Sequence, residues 1–158
     1  DLRHEVTHGY LHSVVPNIPV WLDEGLAEYS EAPRASRGLV RGHVEHLCHQ
    51  RAQGAWQPDL ARLEAIGPDQ DMTQQDYTEC WAWVHYLLET GPEQRMLLRR
   101  YLAELRTDPR FAVPLSVRLR QLAGQADSAL LAHLSDVMAG QWPPPAPQVP
   151  SAGTAPAL

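Results

Sequence analysis

The chain has 158 residues, which is enough for one compact domain and too few for two full ones. Thirteen basic residues against nineteen acidic ones give a net charge of −6, and every basic residue is Arg. The lack of Lys excludes a Schiff-base lysine and a phosphate-loop lysine, and the negative charge argues against a nucleic-acid partner. No apolar run approaches the roughly 18 residues of a membrane span, so we expect a soluble domain without one.

Apolar residues recur at helical spacing along the chain and almost never alternate, which predicts an all-α fold of seven or eight helices. Proline and glycine mark the helix ends. In chain order, the predicted helices cover about residues 1–15, 20–32, 36–53, 60–63, 74–90, 93–106, 114–123 and 126–139. We predict a helical domain over residues 1–141 and a disordered tail over 142–158, because that segment is rich in proline and uncharged.

Two cysteines, Cys48 and Cys80, are too few for a disulfide scaffold and cannot form a CxxC site. One bridge between two helices is compatible with an oxidising compartment. A pair of buried free thiols is the favoured alternative.

The first predicted helix begins with His4-Glu5-Val6-Thr7-His8, an HExxH motif. Four residues turn a helix by about 400°, so His4 and His8 lie about 40° apart on one face, one turn from each other. Two imidazoles in this arrangement can bind one zinc ion, and Glu5 can reach a water molecule at its open position. The motif therefore predicts a zinc site with Glu5 as the general base. A catalytic zinc ion also needs a third protein ligand.

The second predicted helix supplies that candidate in Trp21-Leu22-Asp23-Glu24-Gly25, which continues as GLAEY to Tyr29. An HExxH helix followed by a turn and a helix with a glutamate resembles the gluzincin metallopeptidases. The WLxEG context is similar to that of the aminopeptidase N group, and the GLAEY continuation resembles bacterial peptidase-MA-like domains. The resemblance implies that Glu24 is the third zinc ligand, although it follows His8 slightly more closely than is usual in the family.

Glu28 follows Glu24 by one helical turn on the same face of the helix. Thermolysin-like relatives have an acidic residue at this interval, and this resemblance implies that Glu28 accepts a hydrogen bond from the non-ligating nitrogen of His4 and orients its ring. The alternative is that the acidic residues between Asp23 and Glu31 are only the solvated face of an amphipathic helix.

The fifth predicted helix has Tyr77 in its first turn and continues into an apolar face. It resembles the helix of the aminopeptidase N group whose leading tyrosine donates a hydrogen bond to the oxyanion during peptide hydrolysis. The resemblance implies this role for Tyr77, although Glu79 and Cys80 replace the basic residue and the glycine that usually follow. Tyr86 and Tyr101 are alternative donors, and a core or surface role for Tyr77 stays open.

The other histidines allow several interpretations. His43, His46 and His49 recur at three-residue steps, for which a solvent-facing polar stripe is favoured over a second metal site. His12 extends the HExxH face by one turn and could line the cleft. His85 lies in an apolar helix, where we expect a hydrogen-bonded core residue.

Together these elements predict zinc-dependent hydrolysis of a peptide bond in a peptide or protein substrate. The sheet that precedes the HExxH helix in gluzincins has no counterpart in the three residues before His4, so we expect the chain to be the helical portion of a longer catalytic domain. The resemblance favours an extracytoplasmic location. The alternative is a non-catalytic helical interaction module with a structural or vestigial metal site, against which the intact Glu5 argues.

Overall fold

The computed structural model describes residues 2–143, so the predicted tail beyond Pro143 lies outside the described residues. Within this range the fold is all α-helical, as predicted. The elements are α1 (Leu2–Val14), α2 (Val20–Glu31), a 3-10 turn (Arg34–Ser36), α3 (Arg41–Ala52), α4 (Leu60–Glu64), α5 (Gln74–Glu89), α6 (Pro92–Thr107), a second 3-10 turn (Pro109–Phe111), α7 (Leu115–Ala123) and α8 (Ala126–Met138). Among the described helices, none combines the length and the apolar character that crossing a bilayer requires.

Helix α5 forms the centre of the domain. Every residue from Thr78 to Leu87 is buried, and the helix contacts α2, α3, α6 and α8. Its first turn is closed by a capping box between Thr73 and Asp76, which satisfies backbone N–H groups at the start of the helix. The apolar face that the sequence indicates is therefore the main packing surface of the fold.

Helix α2 packs against α5 at very short range through Gly25. A Cβ atom at this position would lie 2.5 Å from the Cys80 carbonyl oxygen and 2.7 Å from Val84 Cγ2. Any larger residue would push the two helices apart, because both neighbours belong to the buried part of α5. Since Gly25 directly follows Glu24, this contact also fixes where Glu24 lies relative to α5.

Helix α1 lies at the edge of the domain and contacts α2. It contributes a single buried residue, Leu11. After a turn containing Pro16 and Pro19, α2 runs in the opposite direction, since His4 lies near Glu31 and His12 near Asp23. The HExxH helix is thus held mainly by the helix that carries Glu24.

Helix α3 begins later than predicted, at Arg41 rather than near Ser36. The cause is a local reversal at Arg37 and Gly38, whose φ angles of 51° and 73° lie in the left-handed region and end the preceding 3-10 turn. A Cβ atom on Gly38 would lie 2.0 Å from the ring of Tyr29, and the Gly38 carbonyl accepts a hydrogen bond from Trp81 Nε1 at 2.9 Å. These long-range contacts stabilise the turn.

Both cysteines are free thiols, in agreement with the favoured prediction. Cys80 is fully buried, and burial raises the pKa of its thiol well above the ordinary value. Cys48 is only half-buried, on α3.

His85 is a hydrogen-bonded core residue, as expected. It is fully buried, and its Nδ1 lies 2.8 Å from Nε2 of His133 on α8. Burial lowers the pKa of His85 to about 3 and that of His133 to about 4. Both rings are therefore neutral near pH 7 and hold α5 and α8 together by one hydrogen bond.

Candidate metal centre

Helix α1 presents His4 and His8 towards α2. Their ring centroids are 4.7 Å apart, and the rings meet edge to face. Both side chains are largely buried, with 17% and 20% of their surface exposed. The i, i+4 spacing of the motif therefore places both imidazoles at one point of the α1–α2 interface, as predicted.

Glu24 on α2 meets the two rings from the opposite side. Its Oε2 lies 3.5 Å from His4 Nε2 and 3.6 Å from His8 Nε2. The three ligand atoms all lie within 4.8 Å of one another. We call these three residues the α1–α2 triad.

The donor atoms of the triad fit a zinc ion. Tetrahedral zinc with bonds of about 2.0–2.2 Å to nitrogen and oxygen places neighbouring ligand atoms about 3.3–3.6 Å apart. Glu24 Oε2 lies at this separation from both nitrogens and is too distant for a good hydrogen bond to either. Burial raises the pKa of Glu24, and the two histidines act in the opposite direction.

Carboxylates also face the other nitrogen of each ring. His4 Nδ1 lies 2.9 Å from Glu31 Oε1, and His8 Nδ1 lies 2.9 Å from Asp23 Oδ2. His4 Nδ1 has no hydrogen bond of good geometry among the described residues, so its contact with Glu31 is mainly electrostatic. Carboxylates in these positions orient ligand histidines and raise their basicity.

The predicted partner of His4, Glu28, makes a different contact. Its Oε2 pairs with Nε2 of His43 on α3 at 2.9 Å, and Glu31 is the carboxylate that approaches His4. A ligand atom of Glu28 also lies within 4.8 Å of one of His4, but the carboxylate of Glu28 has its hydrogen-bond partner in His43 on α3. The contact expected for Glu28 therefore belongs to Glu31, three residues further along the helix.

Glu5 is exposed on α1, next to the triad in sequence and turned about 100° from His4 around the helix axis. Among the described residues it has no hydrogen-bond or ion-pair partner. Its carboxylate is thus exposed to solvent on the helix that carries both histidines.

Tyr77 lies half-buried in the first turn of α5. The pKa of its hydroxyl is raised by burial and then by the negative charge of Glu24, which indicates that it lies in the field of the triad. The alternative donors are core residues: Tyr86 packs against Trp83, and the buried Tyr101 lies under the Arg118 guanidinium. Tyr77 is therefore the one of the three whose pKa responds to the charge of Glu24.

The histidine stripe of α3 does not form a metal site within the described part of the chain. His43 pairs with Glu28, His46 Nε2 lies 3.0 Å from Gln75 Oε1, and His49 is exposed. Of the three, His49 alone faces solvent as the favoured interpretation predicts. His43 has only 17% of its side-chain surface exposed and His46 is half-buried, because they contact α2 and α5.

Sequence reasoning did not assign the roles of Asp23 and Glu31. Asp23 lies directly before Glu24, and Glu31 lies two turns after it, so both share the side of α2 that faces α1. The signal was present in the run of acidic residues on α2, but the sequence alone does not decide which carboxylate meets which ring.

The chain matches a known protein family. A family model described as "Protein of unknown function (DUF1570)" covers residues 2–111, which is more than half of the chain and includes the whole triad. No curated protein and no solved structure matches the chain.

Proposed function

Since the chain belongs to the DUF1570 family, whose function is unknown, we propose its function from the site itself: zinc-dependent hydrolysis of peptide bonds in a peptide or protein substrate. The observation that carries this proposal is the position of Glu24 Oε2, 3.5 Å and 3.6 Å from the Nε2 atoms of His4 and His8. The resemblance of the HExxH and WLxEG segments to gluzincins supports it further. An extracytoplasmic location, which the same resemblance favours, stays a prediction.

The donor set favours a catalytic ion over a structural one. Structural zinc sites are closed by four protein ligands, whereas catalytic sites have three and keep an open position. The triad supplies three ligands from only two helices, and neither histidine is fully buried. The exposed Glu5 lies on the same helix, where a purely structural site has no use for a base.

Each residue then has a defined task. A bound zinc ion would lower the pKa of a water molecule and polarise the scissile carbonyl. Glu5 accepts a proton from the attacking water and delivers it to the departing amine, so one carboxylate serves as base and then as acid. The hydroxyl of Tyr77 donates a hydrogen bond to the oxyanion, an interaction typically worth about 3 kcal/mol in the transition state.

The proposal is tested by comparing zinc content and hydrolysis in matched variants. The native chain should bind one zinc ion tightly and cleave peptides from a mixed library, with products read by mass spectrometry. Glu5→Gln should retain the zinc and lose at least about 100-fold in rate, since general bases contribute about 10²–10⁴. Glu45→Gln, an exposed glutamate on α3, is the control and should retain both properties. Full activity in Glu5→Gln, or no zinc in the native chain, would reject the proposal.

A second candidate function is a non-catalytic helical module that binds another protein. It is favoured by the apolar side chains of Leu2, Val6 and Tyr10, which are exposed along one side of α1 at intervals of four residues. The two functions differ in their response to a zinc chelator. A chelator abolishes the hydrolytic activity of a peptidase, whereas it only lowers the melting temperature of a module with a structural metal.

A further inference from the structure

A second group of ligand atoms surrounds Asp23, on the side of His8 that faces away from Glu24. Asp23 Oδ2 lies 2.8 Å from His12 Nε2 and 2.9 Å from His8 Nδ1. One ligand atom from each residue lies within 4.8 Å of the other two. We call these three residues the Asp23 cluster.

The carboxylate of Asp23 is incompletely satisfied. The residue is only 8% exposed, and its Oδ1 is buried without a hydrogen-bond partner in the described part of the chain. A buried, unpaired carboxylate oxygen is costly, because it has lost its hydration without gaining a protein donor. The neighbouring Glu24 adds further negative charge to this position.

The cluster is accessible from solvent through His12, whose side chain is 60% exposed. An ion can therefore approach Asp23 from solvent, and it must displace the hydrogen bond between His12 Nε2 and Asp23 Oδ2. Imidazole nitrogen and carboxylate oxygen are donors that zinc and similar divalent transition metals accept.

We propose that His12 and Asp23 bind a second divalent transition-metal ion, separate from the ion of the α1–α2 triad. His8 is the residue that connects the two sites, since its Nε2 faces Glu24 and its Nδ1 faces Asp23. When the triad is occupied, His8 Nδ1 keeps its proton, so the second ion has two protein ligands and water. It is therefore bound more weakly than the first.

The second ion also regulates the first site, and only this part of the inference rests on the proposed function. A cation on Asp23 competes with His8 for the carboxylate that orients the ring, and loss of such a partner typically weakens metal binding or activity by about 10–100-fold. Excess zinc should therefore inhibit hydrolysis.

The binding is tested by titrating the metal-free chain with Zn²⁺ against a chelator of known affinity. The native chain should show one tight and one weak class. His12→Gln should lose the weak class and keep the tight one, and Asp23→Asn, which retains the shape of the side chain, should also lose the weak class. His49→Gln removes an exposed histidine from α3 and should retain both classes. A single class in the native chain, or a weak class that persists in His12→Gln, overturns the second site.

A fourth variant separates the two proposals. Glu24→Gln should lose the tight class and retain the weak one; if it keeps the tight class, the triad is wrong, while the Asp23 cluster is still judged by His12→Gln. Inhibition is compared with each protein's own uninhibited rate. His12→Gln should need at least about tenfold more zinc for half-inhibition than the native chain, and equal sensitivity would overturn the regulatory role.

Discussion

Two polar regions of this molecule are built from the same kinds of side chain and arranged in opposite ways. On α5, the fully buried carboxylate of Glu79 accepts hydrogen bonds from Arg62 Nη2 at 2.9 Å, Trp56 Nε1 at 3.0 Å and the Asp59 backbone N–H at 2.7 Å. In the α1–α2 triad, Glu24 approaches two rings at 3.5 Å and 3.6 Å. We call the first set the Glu79 cluster.

The difference shows how a structural polar cluster can be told from one that suits a ligand. In the Glu79 cluster every oxygen has a protein donor, so its members stabilise one another and leave no position for an ion. In the triad the ligand atoms converge but are too far apart to satisfy one another. This contrast and the buried His85–His133 pair lead to five predictions, in order of decreasing expected effect.

The buried pair His85–His133 should make stability strongly dependent on pH. Burial is the main cause of both low pKa values, with His133 and Arg37 lowering that of His85 further and Asp136 acting to raise that of His133. Because the native pKa values lie below the unfolded value of about 6.5, the unfolded chain binds more protons, and stability is lost as pH falls below about 6.5. Between pH 7 and 5 the loss should be about 2 kcal/mol per histidine.

This dependence is measured by urea unfolding of the metal-free chain at both pH values. His133→Gln should remove about half of the pair's contribution, whereas the exposed His49→Gln should leave the dependence unchanged. Equal stability of the native chain at pH 7 and pH 5 would contradict the prediction.

Breaking the Glu79 cluster should destabilise the fold without altering the triad. Arg62→Met leaves the carboxylate of Glu79 buried without its cation, at an expected cost of about 3 kcal/mol in the free energy of unfolding. Arg99→Met, at an exposed position on α6, should cost much less. Urea titration measures both variants, and a loss below about 1 kcal/mol in Arg62→Met would show that the cluster does not depend on its arginine.

Zinc should stabilise the chain through the triad. A ligand that binds only the native state at 100 times its dissociation constant adds about 2.7 kcal/mol, which should appear as a rise in Tm. At zinc concentrations too low to fill the weak second site, the rise should disappear in Glu24→Gln and persist in Glu45→Gln. If zinc raises the Tm of Glu24→Gln as much as that of the native chain, the metal binds elsewhere.

A larger residue at position 25 should affect both the fold around α5 and the triad, because the added side chain would push α2 away from α5. Gly25→Ala introduces a Cβ atom 2.5 Å from the Cys80 carbonyl oxygen, which should cost about 2 kcal/mol and displace Glu24. Gly42→Ala is the matched control, since a Cβ atom there meets nothing within 4 Å. Unfolding and zinc titration are measured together, and unchanged zinc affinity in Gly25→Ala would show that the packing does not position the triad.

The smallest expected effect is the difference in zinc affinity between variants of Glu31 and of Glu28. Glu31→Gln removes the charge 2.9 Å from His4 Nδ1 and should weaken zinc binding about tenfold. Glu28→Gln should affect zinc affinity less, because its carboxylate pairs with His43. Zinc competition titration provides the comparison, and a larger loss in Glu28→Gln would restore the contact expected from the sequence.

The sequence predicted the parts of the site and the fold that depend on local spacing. The HExxH motif places His4 and His8 on one face of a helix whatever surrounds it, and apolar periodicity reveals α5 in the same way. The resemblance to gluzincins predicted that Glu24 lies next to these two rings, and the arrangement of α1 and α2 agrees with that prediction.

Features that depend on distant contacts were not predictable in this way. The start of α3 is set by the Tyr29 ring and Trp81 acting on Gly38, residues far apart in sequence. The choice between Glu28 and Glu31 depends on His43 of α3. In both cases a neighbour from another helix selects among arrangements that local spacing allows equally.

The weak anchoring of α1 has a consequence for the exchange of a bound cation. In the described structure, Leu11 is the one buried residue of α1. Separating α1 from α2 therefore exposes little apolar surface. Such a local opening costs far less than disrupting α5, and it separates the two imidazoles from Glu24. The rate of metal release would then depend on how often α1 opens, not on how often the whole domain unfolds.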